Sequence, residues 1–240
     1  MADPRSNNAP RWRVGRVAET GSTNADLLAD AAAGAPHGTV LVTDHQTAGK
    51  GRLGRVWDAP PGSNLLVSVL FRTGFDPAHP HELTQRVAVA AAATAERLAG
   101  VTPTLKWPND LLLDGLKLAG ILAQAGGAAG RVDHVVVGMG LNLGWAPEGA
   151  ARLAGVARDA FLDAWLATLA DGIAAGAIGP EYRRRLGTLG QRVRVELPTG
   201  DIEGVAVDVA EDGALVVTLD QGERRVVSVG DVHHLRPADG

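Results

Sequence analysis

The sequence predicts an α+β domain followed by a small all-β domain. Over most of the chain, apolar segments of strand length are interspersed with segments of helical periodicity. After Gly190 the segments become short, alternate in polarity and are separated by turn sequences such as PTGD and EDG. Asp114-Gly115 lies between two apolar runs, and this dipeptide is a strong β-hairpin signal.

The elements of the α+β domain follow in chain order. A strand at 12–17 precedes a helix that Ser22 or Thr23 can cap and that Gly34 can end. The clearest helix spans 81–100, and residues 47–62 form a long loop. We predict further strands at 38–46, 63–72, 105–107, 109–113, 117–125 and 134–143, and helices at 158–178 and 180–189, the last opened by Pro180.

The chain divides into three parts. Residues 1–10 are polar, contain two prolines and are predicted to be a disordered N-terminus. Residues 11–189 form the larger domain, and residues 190–240 form the all-β domain. Four short strands in about 50 residues suggest a small closed barrel.

Composition excludes several classes of protein. The 240 residues carry 23 basic and 27 acidic side chains, a net charge of −4 with neutral histidine, whereas duplex-DNA binders ordinarily carry a basic excess. The absence of cysteine excludes disulfides, thiolate metal sites and a cysteine nucleophile. No apolar run is long enough to span a membrane, and the start MADPRSNNAP lacks an apolar signal core, so we expect a cytoplasmic protein.

A glycine-rich loop follows the second strand. Gly49, Gly51 and Gly54 match G-x-G-x-x-G, but two prolines soon afterwards forbid the helix that a dinucleotide-binding motif requires. A Walker A motif fails as well, because glycine rather than serine or threonine follows Lys50. Residues 47–56, hereafter the flap, contain three cations and no acid. They can cradle an anion or form a solvated surface loop. Trp57 can cover a heterocycle or belong to the core.

The segment 105–121 concentrates polar side chains among apolar ones. Lys106-Trp107-Pro108-Asn109-Asp110 combines a cation, an aromatic ring, an amide and a carboxylate. In a strand, Lys106, Pro108 and Asp110 share one side, although Asn109-Asp110 can equally be a turn. Lys117 lies among small or apolar neighbours. Its ammonium can bind an anion there or extend to water. The chain has only three lysines, Lys50, Lys106 and Lys117, and each stands in a tight motif.

The segment Gly138-Met139-Gly140-Leu141-Asn142 follows a buried strand. Its glycines indicate the close approach of a bulky group or a β-bulge. The seven histidines are scattered without ligand-pair spacing, and His233-His234 are expected at the surface. No metal site built from protein ligands is apparent, although Mg²⁺ carried by a substrate needs only one or two carboxylates.

Six motifs lie in order between residues 21 and 144: GSTN (21–24), TDHQTAGKGRLGRVW (43–57), GSNLLVSVL (62–70), LKWPNDLLL (105–113), GLKLAGIL (115–122) and VVVGMGLNLG (135–144). Together they resemble biotin protein ligases, and the segment from about 190 resembles the family's small SH3-like domain. The resemblance implies a mixed sheet backed by helices, related to class II aminoacyl-tRNA synthetases and lipoate ligases. It implies a short form without the N-terminal DNA-binding domain, because only 20 residues precede GSTN.

The resemblance also implies two sets of site residues. The biotin-binding set is Ser22, Thr23, Asn24, Gln46, Gly49, Lys50, Gly51, Arg52, Lys117 and Gly120. The ATP-binding set is Arg55, Trp57, Lys106, Asn109, Asp110 and Asn142. Lys117, Arg52 and Lys50 are expected to carry the catalysis, with Asp110 a candidate ligand for Mg²⁺ brought by ATP. Lys50 departs from the arginine of many members, which preserves charge without a bidentate grip.

The implied reaction is the ATP-dependent attachment of biotin to a lysine of a biotin carboxyl carrier protein of acyl-CoA carboxylases, through biotinyl-5′-AMP. The flap is then expected to be mobile without ligand and ordered over the intermediate. No DNA or membrane partner is expected, and a homodimer is compatible with the family. Two alternatives stay open: a lipoate or octanoate ligase of the same superfamily, and a non-catalytic biotin or nucleotide sensor.

Overall fold

The computed structural model describes residues 11–72, 81–127, 131–176, 178–228 and 230–235. The strands of the main sheet are β1 (Arg13–Thr20), β2 (Thr39–Gln46), β3 (Leu65–Phe71), β4 (Thr104–Lys106), β5 (Asp110–Leu113), β6 (Leu116–Gly126) and β7 (His134–Leu141). Their spatial order is β1-β2-β3-β7-β6-β5-β4. β1 and β2 run parallel and the other neighbours antiparallel, so the sheet is mixed, as the resemblance implies.

Helices cover both faces of this sheet. The helices are α1 (Thr23–Ala32), α2 (His81–Ala99), α3 (Arg158–Ala175) and α4 (Gly179–Arg185). Leu27 and Ala31 of α1 pack on Leu70 and Val136, whereas α2 and α3 belong to the larger core on the opposite face. Every residue of β3 is buried as a result, which explains why its sequence is almost continuously apolar.

The β-hairpin predicted around Asp114-Gly115 is present between β5 and β6. Both turn residues have positive φ, 52° for Asp114 and 77° for Gly115, a conformation that aspartate tolerates and glycine adopts freely. The helix predicted at 180–189 is shorter, since α4 ends at Arg185. The backbone N–H of Gly187 instead donates to the carbonyl of Leu105 on β4, at 2.9 Å.

The C-terminal strands are β8 (Arg192–Glu196), β9 (Ile202–Val209), β10 (Leu215–Leu219), β11 (Arg224–Val227) and β12 (Asp231–His234). They pair in the order β11-β10-β9-β8-β12, and the described residues show no pairing that closes the predicted barrel, because β11 and β12 lie at opposite edges. Val227 and Asp231 are nevertheless only four positions apart, a reach of at most about 14 Å. Four strand spacings in a flat sheet would require about 19 Å, so this sheet must curve strongly.

Trp107 joins the two sheets. Its side chain is 2% exposed, and its indole N–H donates to the carbonyl of Gly213 at 2.9 Å. Its backbone N–H donates to the hydroxyl of Thr188 at 3.0 Å. Buried side chains from both sheets belong to the larger hydrophobic cluster. The domain boundary at 189 remains a prediction, and residues 1–10 lie outside the described residues.

Candidate active site

A cleft opens on the face of the main sheet that also carries α1. Its floor is formed by paired residues of β3, β7 and β6, where Ser68 faces Gly138 and Gly140 faces Gly120. A side chain at Gly138 would overlap the amide of Asn24, and one at Gly140 would overlap the indole of Trp57. The glycines of GMGLN therefore permit the close approach that the sequence suggested.

All the predicted site residues except Gly49 and Asn142 line this cleft. From the N-terminal part come Ser22, Thr23, Asn24, Gln46, Lys50, Gly51, Arg52, Arg55 and Trp57; from the middle come Lys106, Asn109, Asp110, Lys117 and Gly120. The C-terminal sheet contributes Asp231, Val232 and His233, which sequence reasoning did not include. Residues predicted from separate motifs thus meet in one place.

Thr23 and Asn24, in the first turn of α1, form a buried polar recess. The backbone N–H and the hydroxyl of Thr23 both donate to Oε1 of Gln46, at 2.9 and 3.0 Å. Nδ2 of Asn24 donates to the carbonyl of Leu122 at 3.1 Å and to Oε1 of Gln124 at 2.8 Å. These contacts fix the orientation of both side chains before any ligand arrives.

Ser68 supports this recess from beneath and was missed by sequence reasoning. Its Oγ lies 2.7 Å from Oγ1 of Thr23 and 2.6 Å from Oδ1 of Asn24, and the residue is fully buried. The available signal was a single hydroxyl within the apolar strand LLVSVLF. Gln124 was missed as well, because its contact with Asn24 spans 100 positions.

Lys117 and Asp110 face each other on the opposite wall. Nζ of Lys117 lies 2.7 Å from Oδ1 of Asp110, and the lysine side chain is 40% exposed. That oxygen is buried and has no hydrogen bond of good geometry among the described residues, so the contact is an ion pair only. Lys106 is the register partner of Asp110 across the β4–β5 pair. The lysine therefore stays in the cleft, where it can receive an anion.

Trp57 lies across the glycine floor beside this pair. A Cβ added at Gly120 would come within 3.0 Å of its Cζ3, and Nζ of Lys117 lies 5.7 Å from its ring centroid. The indole is half-buried, and its Nε1 has no hydrogen-bond partner among the described residues. A flat apolar surface with an unused donor in a cleft suits a heterocycle better than a core position does.

The flap folds as a small hairpin over the cleft. The N–H of Gly51 donates to the carbonyl of Arg55 at 2.7 Å, and Lys50 bridges to Val56. Arg52 begins a short 3-10 helix, and its guanidinium reaches Oδ1 of Asn109 at 3.4 Å. The flap cations thereby face the wall that carries Asp110.

Titratable groups at this end of the cleft respond to burial. Burial lowers the pKa of the Arg52 guanidinium, and the nearby carboxylates of Asp231 and Asp110 oppose that shift. Burial also lowers the pKa of His81 and of His234, so both imidazoles are neutral at neutral pH. The expectation that His234 lies at the surface is wrong, since it is half-buried against the hydroxyl of Thr188.

Two predicted site residues lie outside the lining of the cleft. Asn142 does not line the cleft: it is 2% exposed, and its Nδ2 donates to the carbonyl of Ala151 at 2.9 Å, so it holds backbone together. Gly49 lines a groove behind the flap. Of the two alternatives left open for the segment between Lys106 and Asp110, the structure has the turn, so strand alternation does not apply there. Trp107 consequently points into the contact with the second sheet.

Among the described residues, no group of three or more histidine or acidic side chains could hold a metal ion. Within the same residues, no helix has the length and apolar character needed to cross a membrane.

The chain was compared with known families and proteins. The biotin/lipoate A/B protein ligase family matches residues 14–142, and the biotin protein ligase C-terminal domain matches residues 188–235. The chain is 43% identical to the biotin–[acetyl-CoA-carboxylase] ligase of Mycobacterium tuberculosis, covering 94% of this chain and 90% of that protein. The chain belongs to the biotin protein ligase family. It is therefore a ligase enzyme, and the resemblance seen in the motifs is confirmed.

Other relatives agree with this membership. A biotin–[acetyl-CoA-carboxylase] ligase of Paracoccus denitrificans is 31% identical over 90% of this chain and 98% of its own length. The biotin protein ligase of Aquifex aeolicus in complex with biotin and ATP superposes with a TM-score of 0.79 at 24% identity, covering 93% of this chain and 99% of that one. The latter likeness shows that this biotin protein ligase has the fold of the family's solved structures.

Proposed function

We propose that this biotin protein ligase joins biotin to a lysine of a biotin carboxyl carrier protein, using ATP and passing through biotinyl-5′-AMP. The observation that carries the proposal is that a buried polar recess, five cations and the half-buried indole of Trp57 meet in one cleft. The named relatives that act on acetyl-CoA carboxylase support the same reaction.

The reaction needs two displacements, because a carboxylate has no adequate leaving group for attack by an amine. In the first, an oxygen of the biotin carboxylate attacks the α-phosphorus of ATP and pyrophosphate leaves. In the second, the neutral carrier lysine attacks the acyl carbon and AMP leaves, while the nitrogen loses a proton. Neither step forms a covalent bond to the ligase itself, so catalysis rests on positioning and charge stabilisation.

The main obstacle to the first step is repulsion between two anions. Two unit negative charges about 4 Å apart repel by about 4 kcal/mol at an effective dielectric constant near 20, and ATP carries several charges. The cations that line the cleft are Lys50, Arg52, Arg55, Lys106 and Lys117, against the two carboxylates of Asp110 and Asp231. We propose that Lys117 contacts the biotin carboxylate and the α-phosphate. Lys50 and Arg52 would contact the same two groups from the flap.

The polar recess suits the ureido ring of biotin. That ring presents N–H donors and a carbonyl acceptor, which must find partners once water is excluded. Thr23, Asn24 and Gln46 are buried or half-buried and already oriented, and Ser22 lies beside them at the start of α1. The acyl tail would then run across Gly120 towards Lys117.

The nucleotide belongs at the opposite end of the cleft. Trp57 offers its ring face, and Asn109, Lys106 and Arg55 surround the path of the phosphates. Asp110 fits a magnesium ion accompanying ATP, because its buried Oδ1 is paired only with the Lys117 ammonium and has no hydrogen bond of good geometry among the described residues. Such an ion would neutralise phosphate charge.

Several properties of the chain remain part of this proposal. We assign its action to the cytoplasm, where ATP is supplied, and infer that it does not bind duplex DNA, a view that the net charge of −4 supports. A homodimer can form by addition at β1, an edge strand that is largely exposed and pairs only with β2 among the described residues. Sedimentation with and without biotin and ATP tests that state.

The deciding experiment combines the protein, biotin, Mg-ATP and a biotin carboxyl carrier domain, and then measures the mass of the carrier. We expect the gain of one biotinyl group, and no gain when the acceptor lysine is replaced by arginine. Transfer of lipoate in preference to biotin would favour the lipoate-ligase alternative. Ligand binding without release of pyrophosphate would favour the sensor.

A further inference from the structure

The C-terminal sheet places one carboxylate in the cleft. Asp231 begins β12 and is only 7% exposed. It is ion-paired with Arg55 of the flap, and its Oδ1 lies 3.8 Å from Nη1 of Arg52. The carbonyl of the preceding Gly230 accepts a hydrogen bond from Nη2 of Arg52 at 3.2 Å. Two neighbouring positions of the second domain therefore hold both arginines of the flap.

The element that carries Asp231 is firmly held, whereas the flap is not. β12 pairs with β8 along its whole length, and Val232 packs in the hydrophobic core. The flap exposes 71% of Leu53 and 75% of Val56, so little apolar burial secures it. The polar contacts of the flap arginines must therefore supply much of what fixes its position.

A buried carboxylate is costly unless cations pair with it. The cations paired with Asp231 among the described residues both come from the flap. Opening the flap would separate this carboxylate from both of these cations. Closure is thus favoured from the side of the C-terminal domain, before any substrate contributes.

We propose that Asp231 is a positioning residue that fastens the closed flap to the C-terminal domain and so presets Arg52 and Arg55 for the phosphates of the nucleotide. The inference rests on the proposed function for the identity of that nucleotide. It makes the second domain part of the active site, although Asp231 itself touches no reacting atom. The alternative is that Asp231 competes with the phosphates for the two arginines. In that case the carboxylate would weaken nucleotide binding.

The test uses the full chain with Asp231→Asn, which keeps the size of the side chain and removes its charge. We expect the KM for ATP in pyrophosphate release to rise about tenfold, and the KM for biotin to change by less than about threefold. The matched control is Asp220→Asn, because Asp220 is exposed and pairs with Arg192 within the same sheet. Asp231→Glu should recover part of the loss.

A second measurement needs no substrate. Trypsin cleavage after Arg52 and Arg55 should be about fivefold faster or more in Asp231→Asn than in the parent protein, since a released flap is more accessible. If the asparagine variant fails to fold, Arg55→Gln removes the Arg55–Asp231 ion pair from the exposed side and should also accelerate cleavage after Arg52, to a smaller extent because the Arg52 contacts remain. The double variant should be cleaved no faster than Asp231→Asn alone, because that change already removes both ion pairs of Asp231.

An unchanged or lower KM for ATP in Asp231→Asn, or unchanged flap cleavage, would overturn the proposal. A parent protein that forms no biotinyl-5′-AMP would instead refute the proposed function. The cleavage rates would still test the role of Asp231 in that case, so the two failures are distinguishable.

Discussion

Replacement of Lys117 by alanine gives the sharpest test of the chemistry. Its ammonium is expected to face one unit of negative charge, shared between biotin carboxylate and α-phosphate, at about 4 Å. At an effective dielectric constant near 20 that attraction amounts to about 4 kcal/mol. Each 1.36 kcal/mol in the barrier changes a rate tenfold, so Lys117→Ala should slow biotin-dependent pyrophosphate release by about a thousandfold.

The same change should hardly affect folding. The Lys117 side chain is 40% exposed, ion pairs of that exposure contribute about 0–1 kcal/mol to stability, and Lys106 remains as the register partner of Asp110. Urea unfolding should therefore give nearly the parent midpoint, which separates a catalytic loss from an unfolded protein. Lys117→Arg, which keeps the charge but not the compact ammonium, should show an intermediate rate.

A matched control is available next to the lysine. Leu116 is 46% exposed at the start of the same strand and does not line the cleft. Leu116→Ala should leave the rate of pyrophosphate release within about twofold of the parent, because exposed substitutions cost little. A loss of less than about tenfold in Lys117→Ala would refute the electrostatic reasoning.

Three other predictions follow from the site. Ser68→Ala removes the hydroxyl that donates to the amide oxygen of Asn24, which costs about 1–3 kcal/mol. The KM for biotin in pyrophosphate release should rise, without a comparable change in the KM for ATP. Gly140→Ala would drive its Cβ into the indole of Trp57 and should weaken ATP binding in titration calorimetry, with biotin binding less affected. His234 has a pKa that burial lowers below its usual value of 6.5, so the unfolded chain binds the proton more readily. Its contribution to stability should be complete above about pH 6.5 and decline as the pH falls further, which thermal unfolding at several pH values and the substitution His234→Gln will measure.

Local signals predicted most of the main sheet and its helices. The Asp114-Gly115 turn fixed one hairpin, and the uninterrupted apolar run around Ser68 indicated a strand covered on both faces. β12 was missed because its sequence, DVHH, contains a single aliphatic residue, and its pairing with β8 supplies the burial. The order of strands depends on long-range pairing, which periodicity does not encode.

The motifs located the site, but they did not distinguish cleft residues from supporting ones. Asn142 follows the glycines in sequence, yet it turns away from the cleft to bind backbone. Ser68, Gln124 and Asp231 act through partners at least 44 positions away, so no local pattern could identify them. Residues that contact a ligand are often clustered in sequence, whereas the residues that hold them in place are set by the fold.

The anchoring of Trp107 has a practical consequence for anyone who would divide the protein. A fragment ending at residue 189 would lose Gly213, the acceptor of the indole N–H, and would open the shared hydrophobic cluster to water. A large aromatic surface uncovered in this way favours self-association. A fragment of residues 11–189 should therefore aggregate when it is produced alone, unless Trp107 is first replaced by a smaller polar side chain.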